Sequence, residues 1–305
     1  MHLNTDAGWI KQQAVKDPAA FVAVCEQSFQ RQIDAAADQI LSRPGIRLVM
    51  LAGPSSSGKT TTAERLKQAL SLRGRRAWVV SLDDFYLDPS QPLLFEDGTP
   101  DYETVQALDL PYLETCLWRI LRENCCLLPR FSFAKRQREA ELRELQIDPD
   151  DLVIVEGLHA LNPVITEPLD ADRLFLIYVS VSSRVTQDND VLFTKRDLRF
   201  IRRMVRDNQF RASPVDYTFF LWNGVRKGED RYLFPYSGRA NLRIDSIHLY
   251  EPCVFRKSAL HLLNMLPDDS VYFETALALQ KKLSAFPSLD AQLIPQQSLL
   301  HEFLG

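Results

Sequence analysis

Apolar residues at Phe21, Val24, Cys25, Phe29, Ile33, Ala36 and Ile40 recur mostly at three- and four-residue steps. That spacing predicts a helix over 17–43, opened by Asp17-Pro18 as cap and first turn and closed by Pro44-Gly45. Its stripe reads as a docking face with no chemistry of its own. The pattern then changes: residues 46–52 form a strand-like run, a Gly/Ser turn follows, and a helical stretch runs from Lys59 to about Leu72. Continuous apolar runs at 77–82, 152–155, 174–181 and 244–250 suit strands covered on both faces. Helical stretches at about 107–123, 195–209 and 253–266 separate them, so the fold class is α/β, with a mostly parallel sheet flanked by helices. Residues 88–101 and 228–241 read as long loops, and the tail carries a helix over about 271–285. Three parts are expected: a docking helix within 1–45, a main domain over 46–266, and a helical extension over 267–305.

Composition narrows the class. With 46% hydrophobic and 25% charged residues in a chain of 305, a sizeable core is available and wholesale disorder is excluded. A net charge of −4 argues against a general nucleic-acid coat or a polybasic membrane binder. No apolar run approaches membrane-helix length, and the N-terminus lacks the apolar core of a signal peptide. Five cysteines without a C-x-x-C pair make neither a disulfide framework nor a zinc site. The expected location is cytoplasmic.

Candidate chemistry begins at Gly53-Pro54-Ser55-Ser56-Ser57-Gly58-Lys59-Thr60, which fits G-x-x-x-x-G-K-[ST] at every fixed position. It follows an apolar strand and opens a helix, the context in which backbone N–H groups and the helix N-terminus cradle phosphates. The predicted nucleotide cradle comprises Gly53, Ser55, Ser56, Ser57, Gly58, Lys59, Thr60 and Thr61, with Lys59 on the β/γ-phosphates and Thr60 offering its hydroxyl to Mg²⁺. The fold is therefore a P-loop NTPase-type sheet, and ATP is the expected cofactor.

Three further segments bear on what the loop is used for. Ser81-Leu82-Asp83-Asp84-Phe85-Tyr86 puts carboxylates at the end of the second strand, where a base can deprotonate an attacking hydroxyl or help hold the metal. Helix capping is the plainer alternative for such a pair. Leu152–Gly157 is an apolar strand ending in Glu156, an acid placed to assist Mg²⁺, or simply a strand-end turn. Residues 195–211 hold seven basic and two acidic side chains. Arg199, Arg202, Arg203 and Arg206 fall on one helical face, suited to binding phosphates and closing as a lid, or else to lying solvated.

In this order, the four segments resemble the uridine kinase/phosphoribulokinase family of phosphate-loop kinases over roughly residues 30–265. S-x-D-x-F-Y, the Glu156-Gly157 strand end and D-x-R-x-x-R-R-x-x-R-D carry the resemblance more specifically than the loop does. IVEGLHALNP and the terminal IPQQSLLHEFLG are similar to a bacterial uridine kinase-like subgroup. Longer members of that subgroup carry N-terminal domains related to threonyl-tRNA synthetase, which this chain is expected to lack.

The resemblance implies Asp83 as catalytic base, Lys59 as phosphate clamp, and Thr60, Asp83 and Glu156 around Mg²⁺. Arg203, Arg206 and Arg211 would be lid arginines within about 195–213, with Arg203 reaching the acceptor and Arg206 and Arg211 the nucleotide. Tyr86 and Glu103 would face the acceptor, and Phe131 and Phe133 would pack on a nucleobase. Arg136 stands where uridine kinases place a base-reading histidine, Phe131 where they place a tyrosine, and Glu103 is one methylene longer than their aspartate. The expected activity is ATP-dependent phosphorylation of a hydroxyl on a small metabolite, with the 5′-hydroxyl of uridine or cytidine first. Rivals are a sugar phosphate held by Lys135, Arg136 and Arg138, and a non-catalytic regulatory or RNA-binding protein. No membrane or nucleic-acid partner is expected, and a homo-oligomer is left open.

Overall fold

The computed structural model describes residues 4–87, 93–99, 101–132, 135 and 137–305. Its central sheet has five strands: β1 (Leu48–Ala52), β2 (Ala77–Ser81), β3 (Leu152–Glu156), β4 (Leu174–Ser180) and β5 (Leu242–Asp245). All neighbours pair in parallel, in the order β5-β4-β1-β3-β2. The continuous apolar runs follow from this arrangement. Val49 and Leu51 of β1 enter the core on one face, while Leu48, Met50 and Ala52 enter the core on the other. The stretches of strand covered on both faces are therefore apolar, with polar residues such as Ser81, Glu156 and Ser180 at the strand ends.

The first face is covered by α1 (Ala7–Lys16), α2 (Pro18–Leu41) and α3 (Lys59–Ser71). The second is covered by α4 (Leu110–Glu123), with Leu113, Cys116, Leu117 and Ile120 turned inward, and by a strand pair, Cys125–Leu128 with Arg143–Gln146. Asp109 caps α4 by accepting from the Tyr112 N–H at 3.2 Å. The arginine-rich segment is α5 (Lys195–Arg211), opened by a capping box between Thr194 and Asp197. After it come α6 (Val215–Tyr232), α7 (Glu251–Leu263), α8 (Phe273–Ser284) and the short α9 (His301–Leu304).

Several boundaries differ from the pattern. A second helix, α1, precedes the expected one; its buried face is only Ala7, Ile10 and Ala14, too small a stripe to stand out. The expected loop at 228–241 is instead the end of α6 followed by a 3₁₀ segment, Phe234–Arg239. Gly224 and Gly228 weakened the helical signal there, and Gly228 has a packing reason: a Cβ would come within 2.2 Å of the Glu103 Cβ. The run at 244–250 gives a strand only as far as Asp245, because Ser246 and His248 turn into a buried polar network. The tail is not an appendage, since Leu283, Leu299, Leu300 and Phe303 lie in the same core as β1 and α2. Of the expected loop at 88–101, residues 88–92 and 100 lie outside the described residues. Among the described residues, no helix is long and apolar enough to cross a membrane.

Candidate active site

The phosphate loop leaves the end of β1 and runs into α3. Gly53 is required by space, because a Cβ would meet the Val179 carbonyl oxygen at 2.2 Å. Gly58 adopts φ +83°, a left-handed conformation that glycine takes without steric cost. The Ser57 N–H donates to the Pro54 carbonyl at 3.2 Å, closing the curl. Lys59 Nζ folds back to the Pro54 carbonyl at 3.4 Å. The hydroxyls of Ser56 and Ser57 are buried with no hydrogen-bond partner. Buried polar groups are rarely left so, and the unused donors fit a phosphate-bearing ligand.

Strand order assembles the acids. In the register of β3, Glu156 lies between Leu51 of β1 and Ser81 of β2. Its Oε1 accepts from Ser81 Oγ at 2.8 Å and from Thr60 Oγ1 at 3.4 Å. Burial pushes the Glu156 carboxyl up to about 7, and the charge of Asp83 adds to the rise against the pull of Lys59. The two adjacent aspartates diverge. The charge of Asp83 reaches Glu156, Glu103 and Tyr86. Asp84 instead accepts from the Phe131 N–H at 3.4 Å, facing the hairpin Phe131–Ser132 with Gln137–Arg138.

That hairpin brings Phe131 to Tyr86, with ring centroids 5.7 Å apart and planes tilted by 56°. Although Glu103 meets some solvent, desolvation pushes its carboxyl up to about 7. Arg203 pulls the other way, while Glu229 and Asp83 raise it further. Beside Glu103 stands His159, a residue the pattern did not single out. It is 2% exposed, and its ring lies against the Glu103 backbone. Burial holds the ring down at about 4, so it is neutral. Phe133 and Arg136 lie outside the described residues. Arg138, a candidate anion receiver, donates to Asp109 Oδ2 at 2.9 Å and to the Phe85 carbonyl at 3.1 Å.

The four-arginine face divides in two, which corrects its reading as one phosphate-binding surface. Arg199 and Arg202 are fully buried and paired. Arg199 makes a two-pronged ion pair with Glu229, while Arg202 pairs with Glu251 through Nε and Nη2. Both also brace the loop: Arg199 donates to the Ser55 carbonyl at 3.0 Å, Arg202 to the Ser56 carbonyl at 3.3 Å, and Glu229 accepts from the Ser55 N–H at 2.8 Å. Helical geometry spaces all four alike, so nothing in the sequence separated the braces from the rest. Arg203 donates to Ser55 Oγ at 2.8 Å. Arg203, Arg206 and Arg211 share one buried carboxylate, Asp207. Three guanidinium groups on one carboxylate leave this end of α5 with excess positive charge beside the loop.

A model of the phosphoribulokinase / uridine kinase family matches residues 48–250. The chain belongs to that family. Among its relatives, a uridine kinase from Lactobacillus helveticus is 29% identical over 181 residues, 59% of this chain and 76% of that one. A uridine kinase from Staphylococcus aureus (strain Newman) is 27% identical over 201 residues, 65% of this chain and 86% of that one. A solved structure described as a fructose transport system kinase from Silicibacter sp. TM1040 has the same fold, with a TM-score of 0.51 and 23% identity over 69% of this chain and 98% of that one.

As a family member, the protein is an ATP-dependent kinase acting on a hydroxyl of a small molecule. The kinase's hard oxygen donors at the loop, the Thr60 hydroxyl with the Asp83 and Glu156 carboxylates, suit a magnesium ion that keeps other positions for phosphates and water. Among the described residues no group of three His, Cys, Asp or Glu is placed to hold a metal ion.

Proposed function

We propose that this kinase transfers the γ-phosphoryl group of ATP to the 5′-hydroxyl of a nucleoside, uridine or cytidine first. The observation that carries the reading is the Tyr86–Phe131 aromatic pair beside Glu103, with Asp83 charged nearby. A flat base stacking on such a wall gains about 1–3 kcal/mol. Glu103 would accept hydrogen bonds from two neighbouring ribose hydroxyls. An anionic acceptor is disfavoured, since Asp83, Glu103 and Glu156 cluster here and Arg138 is held by Asp109.

In the proposed step Asp83 takes the proton of the acceptor hydroxyl, whose oxygen bonds to the γ-phosphorus in line as the bond to the β-phosphate oxygen breaks. Lys59 holds the β/γ-phosphates, while Arg203, Arg206 and Arg211 face the transferring group. Thr60, Asp83 and Glu156 would hold Mg²⁺, which neutralises phosphate charge. ADP and the nucleoside monophosphate leave.

Acceptor-dependent ADP release across nucleosides and sugar phosphates tests the reading. Uridine or cytidine should give the highest kcat/KM, and turnover of a sugar phosphate with none of any nucleoside would overturn it.

Glu103 adds a pH signature. With its carboxyl near 7, protonation removes the charged acceptor as pH falls through that value, so the acceptor KM should rise below about pH 7. In Glu103→Gln the KM should be higher and flat over the same range. A parent-like slope in that variant would assign the titration to another group.

A further inference from the structure

The last turn of the chain, α9, packs against α5 beside the phosphate loop. Leu299 packs on Gly58 so closely that a Cβ there would come within 2.3 Å of its Cδ1. The Phe303 ring sits under the Arg202 guanidinium, 5.2 Å from its centre, and Arg65 of α3 donates to the Gln297 carbonyl. Leu299, Leu300 and Phe303 are fully buried. These anchors deliver the Glu302 carboxylate to Thr61. Its Oε2 accepts from the Thr61 hydroxyl at 2.8 Å and from the Thr61 N–H at 3.3 Å. Thr61 is the third residue of α3, so its N–H is one of the first-turn donors with no partner inside the helix. In a phosphate loop these amides are the donors that cradle the α- and β-phosphates. A carboxylate of the chain itself is bonded where a phosphate would bind. Its charge is also felt across the site, adding to the rise of Glu156.

We infer that Glu302 is an intramolecular competitor for the nucleotide, occupying the Thr61 donors in the unliganded kinase and yielding them when ATP or ADP binds. The exchange requires rotation of one side chain only, because the three apolar anchors keep the backbone of the tail in place. ATP therefore meets a donor site that is already shaped but guarded by one negative charge. The penalty falls on ligands that bring a phosphate to Thr61 and spares those that bring none.

The test uses ADP and adenosine as probes, bound to the full chain without acceptor and followed by titration calorimetry at low salt. Glu302→Gln keeps an oxygen for Thr61 and removes the charge. ADP should bind this variant about five- to tenfold more tightly, the scale of one unit-charge repulsion at about 4 Å in a water-like medium. The gain should shrink at high salt, and adenosine binding should not change. If Glu302→Gln melts below the parent, Glu302→Ala serves as the second variant, with the same gain expected. ADP binding that is unchanged or weaker in a variant melting with the parent would overturn the inference, as would an equal gain for adenosine. If the parent binds no ADP at all, the failure lies with nucleotide binding itself, not with Glu302.

Discussion

Asp83→Asn is expected to lower turnover by about 10²–10⁴-fold, the range assigned to a positioned general base. Nucleotide binding should weaken far less. The comparison is Asp84→Asn, whose effect on turnover should be milder, because Asp84 bonds the Phe131 N–H while the charge of Asp83 reaches Glu156 and Glu103. Removing the Asp83 charge also removes one cause of the raised Glu156 carboxyl, so Glu156 should titrate lower in this variant. Single-turnover measurements on both variants separate chemistry from binding. An active Asp83→Asn beside an inactive Asp84→Asn would reverse the two roles.

The second large effect concerns stability. Arg202 is fully buried, and Glu251 is its counter-charge. Glu251→Ala should cost about 3–5 kcal/mol, the scale for a buried charge stripped of its partner. At about 2 °C or more per kcal/mol, the melting temperature should fall by roughly 6–10 °C. The variant that replaces both partners, Arg202→Met with Glu251→Leu, should lose less than Glu251→Ala alone, since no charge is left unpaired. Thermal unfolding of both checks this, and a shift near zero for Glu251→Ala would show that Ser246 and the Ser56 carbonyl suffice for Arg202.

The parallel sheet and the phosphate loop were legible because their signals are local: apolar runs of strand length, and a motif whose backbone geometry its own glycines dictate. The positions of Asp83 and Glu156 at the sheet edge followed from the same local signal, Glu156 ending its strand and Asp83 lying two residues past the end of β2. His159 was not, though it follows Glu156 by three residues in the same segment, because a histidine in an apolar run reads as core until its place beside Glu103 is seen. Glu229 was hidden in a stretch read as loop. The split between Arg199 and Arg202 on one side and Arg203 and Arg206 on the other depends on partners from α6, α7 and the loop, which helical spacing does not encode. Glu302 is the extreme case, since its partner is far away in the chain.

That distance has a kinetic consequence. Thr61 and Glu302 are separated by 241 residues, and Leu299 reaches Gly58 over a similar span. Closing so long a loop is entropically late, and long-range contacts slow folding. During refolding from denaturant, the tail should dock on the phosphate loop after the sheet has formed. A probe on the tail should then lag behind the far-ultraviolet signal of the helices. The last event in the maturation of the donor site would thus be the arrival of the group that guards it.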